Sequence, residues 1–216
     1  MPEEVKITEA LGYGWRKAKE NLVFFIGSYI IMGVVQFIPI FCTVLAIVNL
    51  MEANESLAIG LGIAAFLSEC IAFDMLYVGY VKAATNVING TGPMFGDMKP
   101  SMTDMFRVLV AAICWFTLIG IGLVLFIIPG IWFAVTYWPF GWVIINKQVG
   151  PIEGLRQARE LTKGKRFNHV IFFVLCGIIL LLGALALGLG LIIAFPTTLL
   201  ATTYLYRKIS GLEVTE

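Results

Sequence analysis

The sequence predicts an all-α fold, a polytopic bundle of helices crossing a membrane. Three observations predict it. Of 216 residues, 59% are hydrophobic and only 13% are charged, whereas soluble domains run near 45–50% apolar and about 25% charged. The mean hydropathy is +0.91. Long stretches lack charge: 22–51, 108–146 and 170–206 carry none, and 56–81 carries only Glu69 and Asp74. Finally, the 15 basic residues fall in clusters that separate these stretches rather than interrupt them.

A span needs about 20 apolar residues to cross about 30 Å of hydrocarbon. As one helix, 170–206 would measure about 56 Å at 1.5 Å per residue. Tilt does not absorb that excess. Both 108–146 and 170–206 are therefore expected to fold back. Ile128-Pro129-Gly130 is the expected break in the first, because Pro removes a donor and restricts its predecessor. The glycines at 183, 188 and 190 mark the break in the second. Six spans result, near 22–48, 57–81, 106–128, 131–146, 168–187 and 190–206. Pro139 is expected to kink the fourth. They make three hairpins within a single membrane domain, 1–216, with no separate soluble domain.

Basic residues favour cytoplasmic loops. Lys6, Arg16, Lys17 and Lys19 precede the first span. Lys82, Lys99 and Arg107 lie between the second and third. Lys147, Arg156, Arg159, Lys163, Lys165 and Arg166 lie between the fourth and fifth, and Arg207 and Lys208 follow the sixth. With six spans, every one falls on a single face, so both termini are expected in the cytoplasm. Five or seven spans would break that segregation. The first 21 residues mix acids with bases and lack the apolar core of a cleavable signal.

Two amphipathic segments border the spans. Residues 151–163 read as a short interfacial helix, with Pro151 at its first position, Gly164 beyond its end and Arg156 spaced to pair with Glu160. Ile152, Leu155, Ala158 and Leu161 or Thr162 form its apolar stripe. Residues 8–20 read similarly, with Ile7, Leu11, Gly14, Trp15, Ala18 and Leu22 on one face and Tyr13 and Trp15 at headgroup level. The two regions also echo each other: 9–26 and 153–173 each run from Glu through a basic stretch and Asn into an aromatic-rich span.

Arg156, Arg159, Lys163, Lys165 and Arg166 are the candidate lipid- or partner-binding residues, the alternative being a topological anchor. Glu69 and Asp74 are the candidate polar groups within the membrane. A carboxylate there costs at least a few kcal/mol. Five residues apart, they point about 140° from each other, which argues against a shared metal site. They read either as a proton or cation relay or as protonated or hydrogen-bonded carboxyls facing another helix. His169, the sole histidine, is expected packed and solvated at the interface. Cys42, Cys70, Cys114 and Cys176 all sit in apolar runs, as small buried hydrophobes do. There is no Walker loop, G-x-S-x-G elbow or H-E-x-x-H, and no cofactor is expected.

Four passages, VGYVKAATNVING (78–90), FIIPGIWFAV (126–135), GPIEGLRQARELTKG (150–164) and TYLYRK (203–208), together resemble an uncharacterised prokaryotic multi-pass family. That family is similar to the membrane domain of glycerophosphoryl diester phosphodiesterases. The resemblance implies a six-span domain. It does not imply phosphodiesterase activity, which belongs to a separate metal-binding barrel.

The function expected is non-enzymatic: a protein of the plasma or inner membrane that binds lipid or a partner in membrane or envelope homeostasis. A small transporter or channel using Glu69 and Asp74 is the alternative. Membrane lipids are the expected partners, with a membrane protein or a second copy as further candidates and no nucleic acid. The topology has a direct check. In a Cys-free background, an impermeant thiol reagent added from outside should label a cysteine placed at Asn54 and miss one placed at Gln157. The reverse pattern, or labelling of both, rules out the six-span arrangement.

Overall fold

A computed structural model describes residues 6–186 and 188–214. Among these the chain is all-helical, with no strand: α1 Ile7–Glu20, α2 Leu22–Met51, α3 Glu55–Ile88, a 3-10 turn at Phe95–Met98, α4 Met102–Leu125, α5 Ile127–Tyr137, α6 Phe140–Lys147, α7 Pro151–Thr162, α8 Arg166–Leu185 and α9 Leu191–Ile209. Five stretches are long and apolar enough to cross a membrane: α2, α3, α4, Ile127–Lys147 (α5 and α6 together) and α8.

α9 stands outside that group for a physical reason. Its Thr197, Thr198, Thr202 and Thr203 are all buried. They lower its hydropathy, as do Arg207 and Lys208 in its last turn. Each hydroxyl is internally paired: Thr197, Thr202 and Thr203 donate to carbonyls one turn back at 2.7–2.8 Å, and Thr198 donates to Phe195 O at 2.9 Å. Thr203 Oγ1 also accepts the indole N–H of buried Trp142 at 3.0 Å. Buried polar groups persist where they are satisfied within the protein.

The helices sort into inner and outer. Only 6% of the most apolar window of α2 is buried, against 56% for α5–α6. The core gathers Val78, Val81 and Ile88 of α3, Val143 and Ile144 of α6, and Ala201, Leu205 and Tyr206 of α9. α2 lies along α3, joined by Tyr80 Oη donating to Ser28 Oγ at 3.2 Å.

Small residues set the close approaches. A Cβ on Gly122 would lie 2.8 Å from the Gly130 nitrogen, and one on Gly190 would lie 2.7 Å from the Gly183 Cα. The breaks are thus clamped glycine against glycine. The first break falls at Phe126, whose backbone is extended, and not at Ile128-Pro129-Gly130. Pro129 sits inside the first turn of α5, where its missing N–H has no intrahelical partner to lose. The second falls between the end of α8 and the start of α9, with Gly188 at φ +76°. Pro139 separates α5 from α6. α3 outruns the expected 57–81, because Val81, Ala83, Ala84, Thr85, Val87 and Ile88 are buried rather than held in a loop.

Each non-spanning segment leans on an inner helix. Met98 of the 3-10 turn meets Gly79 of α3, Gly154 of α7 meets Ile144 of α6, and Gly14 of α1 meets Thr197 and Ala201 of α9. The face of α1 differs from expectation. Ala10, Tyr13, Gly14 and Ala18 are buried, while Trp15 is exposed beneath the Lys19 ammonium, 5.2 Å from its ring centre. Tyr13 turns inward onto Tyr204, with ring centres 4.7 Å apart and ring planes tilted by 36°.

A Cβ on Gly14 would lie 2.3 Å from Thr197 O, whereas one on Gly12 meets nothing within 4 Å. Gly14→Leu should therefore cost about 1–3 kcal/mol, the range of overpacking, and expose α1 to protease. Gly12→Leu should leave the thermal unfolding curve in place. Equal effects would mean that α1 is not seated on α9.

Candidate functional site

α7 is held face-down by its small residues. Gly154, Leu155, Ala158 and Thr162 are buried. Thr162 Oγ1 donates to Thr136 O of α5 at 2.8 Å. Gly150 and Pro151 open the helix, and Gly164 beyond its end adopts φ +80°, a left-handed conformation suited to glycine. Ile152 is not on the buried stripe; it is exposed, four residues from Arg156 on the outward face.

The five basic candidates do not form one cluster. Arg156 and Arg159 are exposed, as is Lys163 just past the helix end. Arg156 pairs with Glu153, at 2.9 Å through Nε and 3.0 Å through a terminal nitrogen, and not with Glu160. Glu153 also accepts from Gln157 at 2.8 Å. The hydrogen bonds from Gln157 and Arg156 hold the Glu153 carboxyl below the usual glutamate range, so the clamp on Arg156 survives into mild acid. Arg159 and Lys163 have no side-chain hydrogen bond or ion pair among the described residues.

Arg166 and Lys165 lie apart from that face. The Arg166 guanidinium sits over the Trp132 ring of α5, 4.7 Å from its centre. Its Nε is buried without a hydrogen-bond partner among the described residues. Lys165 lines a small crevice with Asn168 and His169. His169 is buried rather than solvated, with its ring 5.8 Å from that of Trp138.

A second basic region lies across α1 and α9, in a groove of about 770 Å³ lined by Arg16, Lys17, Lys208, Glu9 and Glu20. Lys17 is engaged by Glu20 at 3.0 Å, and Tyr204 hydrogen-bonds Glu9.

Glu69 and Asp74 occupy different environments on α3. Glu69 is on the outer surface and accepts from Gln36 Nε2 of α2 at 3.0 Å. Asp74 is buried and lines an apolar cavity of about 370 Å³ bounded by α3, α4 and α6, which does not include Glu69. No group of three or more His, Cys, Asp or Glu residues among the described ones could hold a metal ion. The cysteines are unpaired; Cys176 is buried and the other three are half-buried.

The Lys82–Asp104 ion pair, 2.6 Å long, was not legible from sequence spacing. It ties the last two turns of α3 to the start of α4. Its one local signal is Ser101 three residues before Asp104: Ser101 caps α4, accepting from the Asp104 N–H at 3.2 Å.

Comparison with known proteins finds no matching family model, no matching characterised protein and no matching solved structure.

The Gln36–Glu69 contact yields a stability test. Gln36→Leu alone strands Glu69 and should cost about 1–3 kcal/mol. Gln36→Leu with Glu69→Leu should be close to neutral, since both polar partners leave together. Equal losses in thermal or detergent-titrated unfolding would mean that the contact does not form.

Proposed function

We propose that this chain is a six-span, non-enzymatic protein of the plasma or inner membrane, with α9 as its sixth span and both termini cytoplasmic. In this reading its three hairpins are α2–α3, α4 with α5–α6, and α8–α9. Its α7 face holds anionic lipid headgroups at the cytoplasmic surface. The observation that carries the reading is the outward stripe of Arg156, Arg159 and Lys163 on a helix whose opposite face is anchored by Gly154, Ala158 and Thr162. Exposed Ile152 and Phe167 flank the charges, as apolar residues do on helices lying in the headgroup zone.

Electrostatics favour this assignment. Each basic residue near an anionic leaflet contributes about 1 kcal/mol. Arg156 contributes less while Glu153 clamps it. Arg159 and Lys163 are uncommitted. Kinship with the glycerophosphoryl diester phosphodiesterase membrane domain and a role in envelope homeostasis belong to the same proposal. A transport pathway through Glu69 and Asp74 is less favoured, because the Asp74 cavity does not reach Glu69.

Arg156→Ala with Arg159→Ala should leave topology intact, since Lys163, Lys165 and Arg166 remain. Phosphatidylglycerol retained through purification, counted by native mass spectrometry, should fall. Glu153→Gln should act in the opposite direction by releasing Arg156. An unchanged lipid complement in both variants refutes headgroup binding and leaves α7 as an anchor or a protein-docking face.

A further inference from the structure

We propose that the cavity between α3, α4 and α6 binds a lipophilic ammonium ion, with Asp74 as its counter-charge and the surrounding aromatic rings as its cage. This site is separate from the α7 surface and does not depend on headgroup binding there.

The chemistry of the lining selects the ligand. Asp74 is only 5% exposed. It makes no hydrogen bond or ion pair among the described residues. The nearest lysine along its own helix, Lys82, is committed to Asp104. The cavity therefore holds one unpaired acidic group and no basic one. Around it stand Phe73, Tyr77, Trp115, Phe116 and Phe140. These rings form a connected set: Phe73–Tyr77 centres are 6.4 Å apart, Tyr77–Phe140 6.2 Å, Trp115–Phe140 5.3 Å and Trp115–Phe116 5.1 Å. The Trp115 N–H is already used, donating to Phe133 O at 3.3 Å, so Trp115 offers its ring alone. Aromatic faces attract cations through their quadrupole, most strongly where water is excluded, and aromatic cages recognise quaternary ammonium groups. A carboxylate added to such a cage excludes anions and favours a cation over a neutral ligand of the same shape.

Size and access fit the same ligand. The volume, about 370 Å³, lies within the range of small-molecule sites, about 300–1,000 Å³. Phe73 and Phe116, like Ile113 on the same lining, are more than half exposed on the outer surface of α3 and α4. The mouth therefore opens toward the acyl chains. A ligand arriving there needs an apolar body to reach it and a positive head to pair with Asp74.

The test uses the full chain in an uncharged maltoside detergent, so that no lipid headgroup attracts the probe. The probe is benzyltrimethylammonium, and its neutral isostere is neopentylbenzene. Calorimetric titration should show saturable binding of the cation, one per chain, with the isostere giving none. Asp74→Asn should weaken binding at least tenfold, about 1.4 kcal/mol. Glu69→Gln, outside the cavity, should leave the affinity unchanged. Ala112→Phe, which fills the lining while leaving Asp74 in place, should abolish binding and keeps the test decisive if Asp74→Asn does not fold. Non-saturable titration, saturable binding of the isostere, a loss under tenfold in Asp74→Asn, or binding retained in Ala112→Phe each overturns the proposal.

Discussion

α9 meets α1, α3 and α8 and, through the Trp142–Thr203 hydrogen bond, α6. The rest of the bundle depends on that burial. Between lipid-immersed helices there is no hydrophobic drive to associate, since acyl chains are as apolar as leucine. Close van der Waals contact and internal hydrogen bonds must supply the cohesion. α9 provides both, with alanines and threonines that admit neighbouring backbones and hydroxyls that are satisfied within the helix. A span of leucine and isoleucine in its place would be content facing lipid and would have less reason to sit in the middle.

The same economy of side-chain volume places the charged surface. α1 and α7 each turn a row of small residues inward: Ala10, Gly14 and Ala18 in one, Gly154, Ala158 and Thr162 in the other. The spacing is four in both, one face of a helix. With that face pressed against an inner helix, the basic residues on the far side have nowhere to point but outward. The direction of Arg159 is thus decided by a glycine five residues earlier. The echo between 9–26 and 153–173 sets these two rows in the same register, so the likeness lies in the hidden face more than in the charges.

The long apolar helices, the two short amphipathic helices and the existence of two chain breaks were legible because each rests on a local signal (length of apolar run, alternation of charge and apolar residues, glycine and proline), although the first break falls at Phe126 rather than at Ile128-Pro129-Gly130. What stayed hidden was pairing across helices. Arg156 has acids both three residues before it and four after it, and spacing alone does not choose between them. Ile152 and Trp15 look like core residues by hydrophobicity, yet beside a membrane an exposed apolar side chain carries no penalty. Asp74 could be placed on a different face from Glu69 by counting turns. That its face borders an aromatic cavity depends on α4 and α6, which begin 28 and 66 residues further along the chain.

The contact between α1 and α9 joins the earliest described helix to the latest. Synthesis runs in one direction, so the seat for Ala10, Gly14 and Ala18 is missing until α9 has left the ribosome. Throughout that interval the amphipathic N-terminal segment has only the membrane surface or a chaperone to cover it. Synthesis of α9 is then also the event that closes this contact, and a product truncated before α9 would carry its own quality-control mark, an uncovered small-residue face on α1.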